Sequence, residues 1–203
     1  MSAKLDKYRS MRDPDKTPEP FTSDDRHPDK LHFVVQKHQA TALHYDFRLE
    51  VDGVMPSWPI PKGPSLDNTV KRLALKTEDH PLDYRHFEGV IPEGEYGAGP
   101  VIIWDEGYYY PEVEIEKGVR QQIKDKAEGE KVMEAAIEKG EVKFYLHGKR
   151  LKGSYALIKT KGFGPKNAWL MIKHKDDECV EGYDAAKFTD SVKSGKTLED
   201  LTA

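Results

Sequence analysis

The stretch Leu43-His44-Tyr45-Asp46-Phe47-Arg48-Leu49-Glu50-Val51 decides the fold, because its hydropathy alternates residue by residue. Successive side chains of an extended strand point to opposite faces, so the apolar residues share one face and the charged residues the other. The apolar face comprises Tyr45, Phe47, Leu49 and Val51, and the polar face comprises His44, Asp46, Arg48 and Glu50. The pattern therefore predicts a β-strand whose second face carries a row of ionisable groups.

Strand signals continue on both sides of this stretch. Residues 31–37 contain two valines beside Phe33, and Asp52-Gly53 is typical of a hairpin turn. Residues 87–99 are rich in glycine and proline and are expected to form turns and irregular chain. Further strands are predicted over 54–58, 70–78, 101–104, 108–115, 141–147, 150–160 and 168–174. About eight short strands indicate a mostly β protein, either a barrel or a sandwich.

Three segments fall outside the strand pattern. Residues 1–30 are polar and proline-rich, which predicts an extended N-terminal arm. Residues 119–139 carry charges of alternating sign and end before Gly140, which favours a short solvated helical insertion. Residues 177–203 form a short polar tail, in which a helix is possible. The β domain is therefore expected to span residues 31–176.

Composition excludes several classes of protein. The 203 residues are 37% hydrophobic and 10% aromatic, which is enough for a packed core although 33% are charged. No run of about 18 apolar residues could span a membrane, and Cys179 is the only cysteine, so a cytoplasmic protein is expected. The net charge of −4 and pI of about 6.1 argue against binding nucleic acid through a bulk positive field.

Two histidines and an aspartate form the first candidate site. His44 and Asp46 lie two residues apart on one strand face, and His38 precedes them in a segment that can fold back. Two imidazoles and one carboxylate suit manganese, zinc or iron and leave positions for water or substrate. Polar residues are also the norm on the solvated face of an antiparallel sheet, so spacing alone leaves both interpretations open.

Arg48 and His80 form a second candidate set. Arg48 continues the polar face, and its planar fork can bind two phosphate oxygens at once. His80 follows a predicted strand and could bind phosphate or act as a general acid, while Tyr84 could hydrogen-bond a ligand. From the residues alone, an ordinary structural role explains either residue better, with Arg48 pairing with Glu50 or Glu78. The ordinary surface interpretation also applies to a third group, which consists of Tyr84, Lys62, Arg72 and Glu78.

Other motifs do not indicate chemistry. The glycine-rich segment 91–99 lacks the GxxxxGK[ST] pattern and contains two glutamates, so turns between strands explain it better than a phosphate loop. Tyr108, Tyr109 and Tyr110 could stack on bases, although strand aromatics more often pack in a core or rim. No GxSxG, HExxH or CxxC motif is present, and no serine or cysteine has the surroundings of an activated nucleophile.

Long ordered strings carry a resemblance to a known family. The chain resembles the 3′-phosphoesterase module of bacterial DNA ligase D over about residues 8–176. The tail after residue 190 resembles the linker that follows the module in fused enzymes, so the chain is expected to be either a free-standing homologue or an excised module. The matching strings are 8–13, 17–20, 32–38, 44–50, 57–65, 78–84, 87–92, 94–97, 148–153 and 169–173.

This resemblance implies a β-barrel that holds one divalent metal, typically manganese, with zinc, cobalt or other divalent ions as alternatives. It implies removal of a 3′-terminal ribonucleoside and then of the 3′-phosphate, which leaves a 3′-hydroxyl for ligation. His38, His44 and Asp46 match the metal ligands, Arg48 and His80 the phosphate-contacting residues, and Tyr84 a further catalytic residue. The positions that match supporting residues are Lys62, Arg72, Glu78, Arg12, Asp13 and Glu19.

The expected partners are primer-template 3′ ends that carry a ribonucleotide or a 3′-phosphate, together with separate ligase, polymerase and Ku proteins. We expect a monomer that makes no membrane contact and that uses direct attack by water. Two alternatives are a non-catalytic module that binds DNA ends and a phosphoesterase that prefers RNA or small phosphate esters. The presence of all six central residues argues against the non-catalytic alternative: His38, His44, Asp46, Arg48, His80 and Tyr84.

Overall fold

A computed structural model describes residues 3–162 and 164–203. Its strands are β1 Leu31–Gln39, β2 Leu43–Leu49, β3 Val54–Met55, β4 Ser57–Ile60, β5 Lys71–Leu75, β6 His80–Pro81, β7 Gly89–Ile91, β8 Gly99–Glu116, β9 Val119–Gln122, β10 Glu141–Gly148, β11 Lys152–Lys159 and β12 Ala168–Lys173. The α-helices are α1 Asp6–Ser10 and α2 Lys126–Lys139, and short 3₁₀ helices cover Ala3–Leu5, Leu82–His86, Ala185–Lys187 and Glu199–Leu201. None of these helices is long and apolar enough to cross a bilayer.

Eight strands form a nearly closed antiparallel barrel, which confirms the barrel that the resemblance implies. Their order is β4-β2-β1-β8-β10-β11-β12-β5, while β7 and β9 pair with parts of β8. The two end strands approach each other where the amide of Thr77, just after β5, donates to the carbonyl of Ser57 in β4 over 3.0 Å. A barrel of this size is filled by its own side chains, so the interior is a core and offers no channel.

The alternation along β2 creates two faces, as its sequence predicts. Phe47 points into the barrel and stacks on Phe144 of β10 at 5.5 Å, and Phe144 in turn stacks on Tyr155 of β11 at 6.1 Å. All three rings are fully buried. Because the interior takes the apolar set, the row of ionisable groups on β2 must lie on the outside of the barrel.

The prediction of a helical insertion over 119–139 is wrong at its N-terminal end. Residues Val119–Gln122 form strand β9, because Gly118 adopts a left-handed conformation (φ 78°) that reverses the chain and pairs it with β8. Helix α2 begins at Lys126, after the carboxylate of Asp125 caps the amide of Glu128 over 2.8 Å. Gly140 ends the helix in a left-handed conformation, as predicted.

The two strands predicted over 101–104 and 108–115 are one continuous strand, β8. Asp105 interrupts the apolar pattern, yet it lies fully buried within the strand. Its carboxylate accepts hydrogen bonds from the backbone amides of Lys149, Arg150 and Leu151 over 3.0, 2.9 and 2.8 Å. The charge of Asp105 suggests a break between two strands. The strand continues instead, because these three backbone amides satisfy the buried carboxylate.

Both ends of the chain pack against the outside of the barrel. The arm contains helix α1, and its Tyr8 is fully buried with its hydroxyl donating to the carbonyl of Pro20 over 2.8 Å. The tail is not a free linker in this structure. Its backbone meets β8 where the amide of Val192 donates to the carbonyl of Ile103 and the indole of Trp104 donates to the carbonyl of Phe188, both over 2.9 Å.

Candidate active site

The outer face of β1 and β2, together with the arm and the segment around β6, encloses a cavity of about 330 Å³. The cavity is polar on the sheet side and is partly covered by the loop that precedes β8. Among its lining residues are Arg12, His38, His44, Asp46, Arg48, Thr77, Glu78, His80, Tyr84, Tyr96 and Gly97. The fold thus brings residues from five separate segments to one site.

Three side chains form a cluster that could hold a metal ion. The Nδ1 atom of His38 and the Nε2 atom of His44 each lie 3.5 Å from Oδ2 of Asp46, and the potential ligand atoms all lie within 4.8 Å of one another. Asp46 is 5% exposed and His38 is 7% exposed, so the cluster lies at the floor of the cavity. His38 and His44 face each other directly across the β1–β2 ladder.

Backbone carbonyls orient both imidazoles towards this centre. Nε2 of His38 donates to the carbonyl of Gly97 over 2.7 Å, and Nδ1 of His44 donates to the carbonyl of Ala42 over 3.0 Å. Because a carbonyl only accepts, the opposite ring nitrogen of each neutral histidine keeps its lone pair free to face Asp46. Two such nitrogens and one carboxylate fit a divalent ion of the first transition series.

Charge around Asp46 keeps its carboxyl ionised. Burial opposes ionisation, but the Arg48 guanidinium beside it holds the pKa of Asp46 well below its usual value. Nη2 of Arg48 lies 3.2 Å from Oδ2 of Asp46. A metal ligand must be deprotonated, so this environment suits the carboxylate for binding a cation.

Arg48 is held on three sides and retains donors for a ligand. Nε donates to Oε1 of Gln36 and Nη1 donates to Oγ of Ser57, both over 2.8 Å. Its third contact is the carboxylate of Asp46, and its guanidinium carbon lies 4.8 Å from the ring centroid of Tyr84. A guanidinium has five N–H groups, so two remain for an anion in the cavity.

His80 is buried and neutral. Its Nδ1 atom donates to the carbonyl of Glu78 over 3.0 Å, which leaves the lone pair on Nε2, 3.4 Å from Nη2 of Arg12. Burial and the nearby Arg48 and Arg12 charges lower the pKa of His80 well below 6.5. The imidazole therefore presents an acceptor nitrogen to the cavity.

The N-terminal arm completes the site through an ionic network. Nε of Arg12 lies 3.0 Å from Oε1 of Glu19, and Nη1 lies 3.2 Å from Oε1 of Glu78. The hydroxyl of Tyr84 donates to the same oxygen of Glu19 over 2.8 Å. Two buried carboxylates thus fix Arg12 and Tyr84 beside His80, so the geometry of the cavity depends on docking of the arm.

Three of the residues that match supporting positions lie outside this ionic network. Lys62 is exposed in the turn after β4. Asp13 accepts from the amide of Asp15 and pairs with Lys16 on the surface of the arm. Arg72 lies on β5, opposite Met171. Their assignments remain predictions from the resemblance, whereas Arg12, Glu19 and Glu78 lie within the network.

Sequence reasoning missed several residues of the site. Gln36 lies on the same outer face as His38, two residues away, and that spacing could have revealed it. Ser57 supports Arg48 from the neighbouring strand. Tyr96 lies 5.1 Å from the Arg12 guanidinium, and Gly97 orients His38. These two belong to the glycine-rich turn, whose role is set by tertiary contacts and has no local signal.

Comparison with known proteins gives one consistent answer. Residues 36–159 match the DNA ligase D 3′-phosphoesterase domain. The chain is 45% identical over 202 residues to the multifunctional non-homologous end joining protein LigD of Pseudomonas aeruginosa, covering 97% of this chain and 22% of that protein. It is 45% identical over 184 residues to the LigD of Mycobacterium tuberculosis, described as a multifunctional non-homologous end joining DNA repair protein, covering 89% and 21%. The chain therefore spans about a fifth of the length of these curated relatives.

Proposed function

The chain belongs to the DNA ligase D 3′-phosphoesterase domain family, and on this premise we propose that it is a metal-dependent phosphoesterase that repairs DNA 3′ ends. The reaction removes a 3′-terminal ribonucleoside to leave a 3′-phosphate and then hydrolyses that phosphate to a 3′-hydroxyl. The product is an end that a ligase can join, which agrees with the non-homologous end joining named for the relatives.

One observation carries this proposal: side chains that could ligate a metal ion and side chains that could bind phosphate line the same cavity. His38, His44 and Asp46 lie at its floor, and Arg48 and His80 line the same cavity. A non-catalytic module that binds DNA ends needs cationic side chains, but it does not need two imidazoles whose lone pairs converge on a carboxylate.

His38, His44 and Asp46 would hold the metal ion. The set mixes a hard oxygen donor with borderline nitrogen donors, which suits manganese and also accepts zinc or cobalt. When bound, such an ion supplies positive charge beside the phosphate and lowers the pKa of nearby water.

Arg48 and Arg12 bind the phosphate in this mechanism. The two free N–H groups of Arg48 form a fork that stabilises charge on the non-bridging oxygens. Arg12 approaches from the arm, and its ion pairs with Glu19 and Glu78 hold it in place before substrate arrives. Water attacks phosphorus directly, since no residue of the cavity is placed as an activated nucleophile.

His80 takes up and donates a proton in this mechanism. In the free site Nε2 is an unprotonated acceptor beside Arg12. An entering phosphate brings negative charge close to this nitrogen, which raises its pKa and allows it to take up a proton. The protonated ring can then hydrogen-bond the phosphate or protonate the leaving oxygen.

The test uses a labelled primer-template that ends in one 3′-ribonucleotide, with and without manganese. Metal-dependent shortening to a 3′-phosphate and then to a 3′-hydroxyl is expected. Accumulation of the 3′-phosphate alone would limit the activity to the diester step. Retained binding without cleavage would replace the proposal with the DNA-end scaffold, and faster turnover of nitrophenyl phosphate would point to small esters. Ligase, polymerase and Ku proteins are the expected partners of this reaction.

A further inference from the structure

The loop between β7 and β8 forms one edge of the cavity. It covers residues 92–98, and its residues Tyr96 and Gly97 line the cavity. The backbone of the loop folds into two consecutive hydrogen-bonded turns. The carbonyl of Gly97 also accepts from Nε2 of His38 over 2.7 Å. The loop therefore holds Tyr96 at a defined place beside the candidate metal ligands.

Tyr96 presents an aromatic ring with one open face. In the part of the chain that the structure describes, two tyrosines line the cavity, and Tyr84 is 2% exposed whereas Tyr96 is 48% exposed. The guanidinium of Arg12 lies over the Tyr96 ring, 5.1 Å from its centroid, and covers one face. The exposed face is free to stack on a flat group of a ligand.

The two edges of the cavity differ in charge. The loop lies on the β8 side and Thr77 lies on the β4 side, and the strand order β4-β2-β1-β8 separates these sides by about 14 Å. On the β8 side, Glu93 and Glu95 are close to Tyr96 in sequence, and residues 92–98 include no basic residue. A phosphate backbone is therefore repelled from the loop.

The β4 side is basic instead. The amide of Lys76, which precedes Thr77, donates to the carbonyl of Asn167 over 2.8 Å. Asn167 belongs to the stretch 159–175, which contains four exposed lysines and no acidic residue. Lys76 itself is paired with Asp79 over 3.1 Å, so the attraction for phosphate comes from this stretch. A DNA duplex should therefore approach over the β4 side, with its 3′ end towards the loop.

The proposed diester step releases a group that fits the loop side. The leaving group is a nucleoside, which has no charge and is joined to the scissile phosphate through one ester oxygen. Glu93 and Glu95 do not repel it, and its base offers a flat face to the ring of Tyr96. This face is available while the primer end is base-paired, because no further base pair covers the outer side of the last one.

We propose that Tyr96 forms a subsite for the 3′-terminal nucleoside, in which its ring stacks on the outer face of the last base of the primer. This inference rests on the proposed function, because it places the scissile phosphate at Arg48 and the candidate metal ligands. Stacking on an aromatic ring tolerates any base, so the subsite recognises the presence of a terminal nucleoside and not its identity. Tyr96 is thereby a specificity-determining residue for the diester step.

Binding of three primer-templates in EDTA tests the proposal without cleavage. The first ends in a base-paired 3′-ribonucleotide, the second lacks this nucleoside and ends in the preceding 3′-phosphate, and the third keeps the terminal ribose but lacks its base. Fluorescence anisotropy gives the dissociation constant of each. Tyr96→Leu should weaken binding of the first primer-template about fivefold or more relative to the second and the third, because only the first offers a base to the ring.

Two further variants serve as controls. Tyr96→Phe keeps the ring and should retain the wild-type preference among the three primer-templates. Tyr110→Leu makes the same change of ring to leucine on β8, outside the cavity, and should leave all three dissociation constants unchanged. Because the three primer-templates are compared on the same protein sample, a loss of folded protein affects them equally and cancels.

Three results would overturn the subsite. An equal loss for all three primer-templates in Tyr96→Leu would mean that the ring acts through Arg12. A loss shared by the first and the third would assign the contact to the ribose, and a loss in Tyr96→Phe as large as in Tyr96→Leu would assign it to the hydroxyl. Wild-type affinities in Tyr96→Leu would place the nucleoside elsewhere.

Addition of manganese separates this inference from the proposed function. If Tyr96→Leu shows the selective loss but the wild type does not cleave the first primer-template, the subsite stands as part of a module that binds DNA ends, and the phosphoesterase proposal fails. If the wild type cleaves and Tyr96→Leu shows no selective loss, the phosphoesterase proposal stands and the subsite fails.

Discussion

The two faces of β1 and β2 are both buried, but by different physics. On the inner face, Phe47 packs among rings, and no direction or charge has to be matched. On the outer face, Asp46 and Arg48 are 5% and 3% exposed, yet directed hydrogen bonds and ion pairs hold both side chains in place. The inner face should therefore govern stability, and the outer face should govern activity.

The strongest test of this division is Asp46→Asn. The substitution keeps the size of the side chain and removes the negative charge from the donor set. We expect the metal-dependent rate to fall by more than about a thousandfold, because both the ion and the fork of Arg48 lose their common partner. Thermal unfolding should shift by only a few degrees, and a rate close to wild type would mean that Asp46 does not hold the metal.

Phe47→Ala, one residue away, should produce the opposite result. It removes a fully buried ring that stacks on Phe144, so the free energy of unfolding should fall by about 3–5 kcal/mol. Urea denaturation measures this change. At a temperature where the variant is folded, its rate per folded molecule should stay near that of the wild type. A folded variant with little activity would show that the two faces are coupled.

Arg48→Lys tests the geometry of the outer face without changing its charge. A lysine cannot reproduce the contacts to Gln36, Ser57 and Asp46 and still present a fork to phosphate. We expect the turnover number to fall by about a hundredfold, with metal affinity retained. Titration of manganese against the variant separates these two quantities. An unchanged turnover number would place the phosphate away from Arg48.

The alternation along β2 made the two faces predictable, because the side-chain period of a strand is a local property. The sequence also predicted that His44, Asp46 and Arg48 share one face of a strand and that the segment of His38 can fold back towards them. It could not locate Tyr96, because the approach of that ring to Arg12 depends on how the arm docks.

The continuity of β8 was equally hidden. A charged residue normally marks the end of a buried strand, and only the three amides that converge on Asp105 explain why it lies within one. Likewise, β9 depends on the left-handed conformation of Gly118, which turns the chain back onto β8. The effect of this glycine can be recognised only once β8 is known.

The smallest expected effect concerns His174, a partly exposed polar group outside the site, and is measured as a change of stability with pH. Nδ1 of His174 lies 2.7 Å from Oγ of Ser154, and burial together with Arg120, Lys143 and Lys173 lowers its pKa to about 4. Between pH 6.5 and 4 the unfolded chain binds a proton at this position and the folded chain does not. Stability is therefore lost as pH falls through this window.

Because His174 is partly exposed, solvent screening limits the loss to about 1 kcal/mol. His174→Gln removes the titration, so the difference between wild type and variant in urea unfolding should shrink towards pH 4 by that amount. Other histidines with lowered pKa values, such as His147, titrate in both proteins and cancel in this comparison. A difference that stays constant with pH would show that His174 takes up a proton as readily in the folded chain as in the unfolded chain. Buried polar groups outside the cavity would then be less tightly constrained than those inside it.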